Sequence, residues 1–290
     1  MAIYWTASIL ALIVNISSSG AFLTNGRFKA EVTLPKDTAL HSSAPSDTAD
    51  ESFEEPTFGE LDSAKQDLIS FCGSSSPDKV SALSKINAVE ELAEQFGIGQ
   101  ASSSTGLLSG EWELIYAPED VTRSSPFFWA FRKAFPDSAD QIFGITDAIP
   151  DPLKVVGPAY QTIEMNGVND GKLISRVKVA TLGGAATSIM TTRGTILNDG
   201  YDLESIKIRV DTTKPEESTV LKKLGPFGEL VAENSPPFPS GDVLERVIKN
   251  SSIVQMTTTF CDSTMRISHY GQADKKFVWK RSSFIGSSEI

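Results

Sequence analysis

"GEWELIYA", residues 110–117, marks the point where the chain changes its period. Before it, apolar residues recur at helical spacing. From Leu107 onward they recur every second residue, the period of a strand with one buried face. Seven further stretches share this period, namely "AYQTIEMNG" (159–167), "KLISRVKVA" (172–180), "TSIMTTRGTIL" (187–197), "DLESIKIRV" (202–210), "SIVQMTTTF" (252–260), "TMRISHY" (264–270) and "KKFVWKR" (275–281). Turn signals separate several of them: "NDG" twice, "LGGA" and "CDS". In the fifth stretch Leu203, Ile206, Ile208 and Val210 include a clean alternating end, and in the sixth Val254, Met256, Thr258 and Phe260 are expected on one face. Eight short, mostly sequential strands predict an up-and-down antiparallel barrel, wide enough at about eight strands for one small apolar ligand. A sandwich has the same periodicity.

Two helices are expected ahead of the strands. Leu61, Ala64, Leu68 and Cys72 recur at helical spacing, and Gly73 stops the run. "SSPDKVSALSKINAVEELAEQFG" (75–97) opens with Ser76 as N-cap and Pro77 at the first helical position. Its apolar stripe is Val80, Leu83, Val89, Leu92 and Phe96, and Gly97 ends it. "GIGQASSSTG" (97–106) reads as a linker. Two long interruptions divide the strands, residues 117–156 and 212–250. Loops of that length in a compact domain are usually functional or partly disordered.

The N-terminus has the shape of an address. Residues 3–16, "IYWTASILALIVNI", carry no charge, and small residues close the run at 17–21. This is a secretory signal pattern, with an N-terminal membrane anchor as the alternative. Residues 23–57 are rich in Ser, Thr, Ala and Pro and have no sustained period, the composition of a disordered segment. The junction Ala21-Phe22 resembles the plastid-targeting signal of algae whose plastid lies inside extra membranes, where a signal peptide is cut just before a Phe that starts a transit peptide. The expected organisation is a signal peptide at 1–20, a transit and linker segment at 21–57, helices at 58–100, a barrel at 107–282 and a tail at 283–290.

The whole chain has 290 residues and a net charge of −11. Three of its 26 basic and seven of its 37 acidic residues precede residue 58, so the rest carries 23 against 30, a net −7. That balance argues against nucleic acid as a partner, which needs a concentrated basic surface. Two Cys, Cys72 and Cys261, and two His, His41 and His269, support neither a zinc site nor a disulfide framework. The thiols are expected as small buried hydrophobes, with a regulatory disulfide as the minor alternative. No nucleophile elbow, zinc-protease or P-loop pattern is present, and "TLGGAATS" (181–188) is a hairpin turn rather than a phosphate loop.

"LLSGEWELIYA" (107–117) resembles the opening strand of the plastid lipid-associated protein, or fibrillin, family, with Leu108, Gly110, Trp112, Leu114 and Tyr116 at the motif's positions. "TRSSPFFWAFRKAF" (122–135) resembles the segment that follows in some members. Gln161, Ile163 and Glu164 match the next strand. Phe260, Asp262, Arg266, Ile267, Ser268, Phe277 and Val278 match the closing hairpin. The likeness spans roughly residues 61–281. The sequence departs from the pattern at Phe260-Cys261-Asp262, where Tyr-Leu-Asp is common, at Thr264, where a second acid is common, and at His269, where Arg is common. The resemblance implies a lipocalin-like barrel in a plastid, at thylakoids or lipid droplets (plastoglobules). It implies a non-enzymatic role in binding isoprenoids, quinones, carotenoids or acyl lipids, without a cofactor.

Each candidate site residue has two readings. Trp112, Tyr116, Gln161, Asp262 and Arg266 are candidates for ligand contact. Trp112 is read first as a structural plug packed by Arg266, since a cation over an indole face is a stabilising pair, with ligand contact as the lesser reading. Asp262 is equally a turn former, because Asp bonds its own backbone two residues on. Arg266 alternates with Met265 and Ile267. An apolar lumen would take the Met265/Ile267 face and turn Arg266 outward, whereas the pairing with Trp112 would turn it inward. Phe127, Phe128, Trp129, Phe131 and Phe135, beside Arg132 and Lys133, would give an aromatic helix face for membrane contact, or a lid on the barrel mouth.

Three functions are consistent with this pattern. One is a carrier of a hydrophobic small molecule at a membrane or droplet surface. Another is a structural coat protein whose barrel is filled by its own side chains. The third is an enzyme on the barrel, using Asp262, Glu164 or His269 as acid-base groups.

Overall fold

The computed structural model describes residues 58–74, 77–100, 102, 106–139, 158–167, 170–181, 186–197, 203–271 and 273–282. The address region, the Ala21-Phe22 junction, Ser76, His41 and the "LGGA" turn lie outside the described residues.

Eight strands close into one antiparallel barrel in sequence order: β1 Gly110–Tyr116, β2 Ala159–Met165, β3 Gly171–Thr181, β4 Ala186–Leu197, β5 Ser205–Glu216, β6 Ile253–Cys261, β7 Met265–His269 and β8 Lys276–Arg281. β8 pairs back onto β1, with Trp112 opposite Arg281 and Leu114 opposite Trp279. Closure leaves no edge strand open to another chain, which is what separates this barrel from a sandwich.

β5 runs six residues beyond the stretch expected from the sequence, through a proline, and so takes back part of the second interruption. The extension pairs with β4 as far as Ile189 opposite Glu216. β6 pairs with β5 only from Ser205 to Arg209, so Pro215 needs no donor on that side. The rest of the interruption folds as three helices. The 3-10 turn Val121–Ser124 and the helices Phe58–Cys72 (α1), Lys79–Phe96 (α2), Pro126–Ala134 (α3), Thr219–Lys222 (α4), Pro226–Asn234 (α5) and Ser240–Val247 (α6) complete the described elements.

α1 and α2 pack on the outside of the barrel over β6, β7, β8 and the end of β1. Leu61, Leu68, Cys72, Ala82, Ile86, Val89 and Ala93 form one core with Tyr116, Phe260, Met265, Ile267 and Val278. The α2 stripe is therefore Ala82, Ile86, Val89 and Ala93, one step around from the expected one, and Val80 is 78 % exposed. Two alanines let the helix approach its neighbours closely, which a stripe of larger residues would prevent. The N-cap is Asp78, not Ser76: its carboxylate accepts from Ser81 N at 2.9 Å and Ser81 Oγ at 2.8 Å. Gly97 caps the other end in the left-handed conformation, as expected.

Two bulges set which side chains face inward. The register shifts between Leu114 and Tyr116 in β1, and between Thr258 and Phe260 in β6. Each bulge reverses the alternation beyond it. Val254, Met256 and Thr258 share the inner face, but Phe260 turns out under the helices and Cys261 turns in.

Candidate functional site

The interior has two different walls. On β2 to β6 it is aliphatic: Ile163, Leu173, Ile196, Ile206, Ile208 and Met256 are all at most 1 % exposed. On β7, β8 and β1 it is aromatic and cationic. Arg281 sits 4.2 Å from the Trp112 ring, Arg266 sits 5.2 Å from the same ring, and Arg266 sits 4.6 Å from Trp279. Arg281 donates to carbonyls at the floor of the barrel, from Nη1 to Ser109 O at 2.8 Å and from Nη2 to Leu107 O at 2.7 Å, while its Nε has no acceptor. Trp112 Nε1 donates to Leu108 O at 2.9 Å, so residues 107–109 close that end. Trp279 Nε1 donates to Ser268 Oγ at 3.0 Å.

Arg266 is fully buried and has no carboxylate partner among the described residues. Its Nη2 donates to Gln161 Oε1 at 2.7 Å, while Nε and Nη1 have no acceptor. Burial lowers its pKa to about 9, Cys261 works against that shift and Arg281 adds to it. At neutral pH the guanidinium is still charged. Its contacts with two indoles are worth about 2 kcal/mol each when desolvated, against several kcal/mol for burying an unpaired ion. Two inward-facing hydroxyls nearby, Ser175 Oγ opposite Gln161 and Thr258 Oγ1 opposite Ser268, also lack partners.

The other end of the barrel is stoppered by the 3-10 turn and α3. Ser124 O accepts from Gln161 Nε2 at 3.0 Å, deep inside the lumen. Ser125 Oγ donates to Thr192 Oγ1 at 3.4 Å, and a hydroxyl chain continues through Thr213 to Ser240 of α6. Trp129 stacks on Tyr270 with ring centroids 4.9 Å apart, and its Nε1 donates to Arg123 O at 2.5 Å. Phe127, Trp129, Phe131 and Phe135 are all buried, and Phe128 is half-buried. The expected membrane face is thus turned inward, because an aliphatic lumen offers these rings more dry contact than an exposed helix would. The segment is a stopper.

Beside the stopper lies a cleft of about 20 Å3, room for roughly one water, lined by Arg123, Phe128, Trp129, Arg132, Tyr270, Lys275 and Glu119 among others. Burial pushes the Glu119 carboxyl up, but its bond to Lys275 and the charges of Lys275, Arg132 and Arg123 outweigh burial and leave it lowered.

Of the five residues expected to meet a ligand, the structure brings together Trp112, Gln161 and Arg266. Tyr116 is a correction: the β1 bulge turns it out against α1 and α2. Asp262 is the turn former of the β6–β7 hairpin. Its Oδ1 accepts from Thr264 N and Met265 N, both at 2.7 Å, and its Oδ2 pairs with Lys65 of α1 at 2.5 Å. Arg266 points inward, while Met265 and Ile267 are covered by α1 and α2 rather than lining the lumen. Asp262 and His269 lie at opposite ends of β7 and Glu164 is exposed on β2, so the three acid-base candidates do not converge. Sequence reading missed Trp279 and Arg281 as site residues. Their signal was the alternation Phe277, Trp279, Arg281 in the last strand. Ser175 and Thr258 carried no such signal, because hydroxyls are common on either face of a strand.

Compared with family models, curated proteins and solved structures, the chain matches none of them.

Proposed function

We propose that this protein is a non-catalytic, plastid lipid-associated barrel that holds a hydrophobic or amphipathic small molecule behind a helical stopper, at a thylakoid or droplet surface. The observation that carries this reading is the lumen itself. It pairs an aliphatic wall with buried polar groups that lack partners, and it is closed at one end by a short aromatic segment rather than by a strand. Burying an apolar ligand there stabilises by about 25 cal/mol per Å2 removed from water, with no reacting group needed. The compartment rests on the Ala21-Phe22 junction, and the ligand class (isoprenoid, quinone, carotenoid or acyl lipid) rests on the resemblance of the strand motifs.

The surface contact in this proposal belongs to α4 and α5 rather than α3. Leu224, Phe227 and Leu230 are each more than half exposed, next to Lys222 and Lys223. Apolar side chains with flanking cations suit a lipid headgroup boundary.

A second reading, a coat protein with a filled barrel, is favoured by the buried aromatic rings of α3 at the barrel mouth and by the small size of the mouth cleft. Native extraction from the source cells followed by mass spectrometry separates the two. A stoichiometric quinone, carotenoid or acyl lipid supports the carrier. A protein that is empty yet floats with membranes supports the coat.

A further inference from the structure

We infer that Arg266 anchors the carboxylate head of a long-chain acid, and that the same event releases the stopper through Gln161. This rests on the carrier reading and specifies its ligand chemistry.

Arg266 uses one N–H on Gln161 and leaves its single Nε–H and both Nη1 protons without acceptors. A guanidinium is a rigid fork that matches two oxygens at once. A neutral carbonyl or hydroxyl head would fill one of those bonds and leave the charge uncompensated. A carboxylate supplies both the acceptors and the counter-charge, which is what this buried cation lacks among the described residues. Ser175 Oγ and Thr258 Oγ1 stand on the inner face to donate to the same head, and the aliphatic wall of Ile163, Leu173 and Ile208 takes the tail.

Gln161 ties this site to the stopper. One end of its amide accepts from Arg266 at 2.7 Å, and the other donates to Ser124 O at 3.0 Å. A carboxylate competes with Oε1 for the guanidinium. Loss of that bond removes one of the two hydrogen bonds that orient the amide toward Ser124. Head-group binding and stopper docking therefore draw on one side chain, and the acid weakens the closure it must pass.

The test compares palmitate with hexadecanol, which has the same tail length and no carboxylate, binding to the full chain by calorimetry at neutral pH. Palmitate is expected to bind about 10- to 100-fold more tightly, the range for a charge-assisted hydrogen-bonded pair. Arg266→Met should remove that preference, weakening palmitate far more than hexadecanol, which loses at most one neutral bond. Gln161→Leu keeps the guanidinium and removes one of the bonds that dock the stopper, so it should keep the preference and speed association of both amphiphiles. Equal binding of the two by the unaltered chain overturns the carboxylate inference while the carrier reading stands. That comparison needs no variant to fold. Binding of neither amphiphile also overturns the carboxylate inference, and the mass spectrometry of the natively extracted protein then decides the carrier reading by itself. A Gln161→Leu chain that associates no faster overturns the coupling to the stopper.

Discussion

Asp262 shows how one residue resolves two readings. Its carboxylate caps the β6–β7 hairpin through three bonds from Thr264 and Met265 and draws Lys65 of α1 onto the barrel. Burial raises its pKa, but the Lys65 bond and the two backbone N–H donors outweigh burial and leave it lowered. The opposite holds for Lys65: burial lowers it, and Asp262 and Asp62 raise it overall. A lowered carboxyl contributes stability above its unfolded value of about 4 and loses it as pH falls through the folded value. A raised ammonium contributes below its unfolded value of about 10.4 and loses it as pH rises through the folded value. The pair thus stabilises between those limits. Asp262→Ala should cost about 2 kcal/mol in urea unfolding at pH 7, and the difference from the unaltered chain should shrink as pH is lowered below about 4.

At the scale of elements, α3 and the α4–α5 pair carry opposite expectations. Trp129→Ala removes a ring stacked on Tyr270 and a bond to Arg123 O inside the barrel mouth. It should destabilise by about 3–5 kcal/mol and leave vesicle flotation of the folded protein unchanged. Replacing Leu224, Phe227 and Leu230 together by Ser should do the reverse, with stability within about 0.5 kcal/mol per site and flotation lost. Flotation that survives the triple change would move the lipid contact elsewhere. α6 is held by a close approach: a Cβ on Gly241 would stand 1.9 Å from Val210 O of β5. Gly241→Ala must therefore push α6 off β5 and is expected to lower Tm by several degrees.

Over the whole molecule, the barrel has two cores, an inner one around Trp112 and Arg266 and an outer one beneath α1 and α2. Cys261 faces the inner core, Cys72 belongs to the outer one, and burial pushes each thiol up to about 11. Neither is a thiolate near neutral pH, so both should react with a thiol reagent only on unfolding, at one common rate if the two cores melt together. A fast first thiol, with the helices still in place by circular dichroism, would show that the cores open separately.

Read alone, the sequence determines that eight mostly sequential strands follow two helices, because period two and the turn residues between strands are local properties of the chain; that they close into a barrel rather than pack as a sandwich was decided by the pairing of β8 with β1. The sequence also determines Gly97 as a helix stop, for the same local reason, whereas the choice between turn and ligand at Asp262 needed the bonds from Thr264 and Met265. Which face of each strand points inward was decided only by tertiary structure. The bulges in β1 and β6 invert the pattern beyond them, sending Tyr116 and Phe260 outward and Cys261 inward. The direction of Arg266 needed the outer helices: once α1 and α2 cover Met265 and Ile267, both faces of β7 are buried and periodicity holds no information about which is the lumen. The aromatic run at 127–135 reads the same on a membrane as in a barrel mouth, since both remove rings from water. The closed lumen decided between them by supplying a dry surface within the chain's own reach.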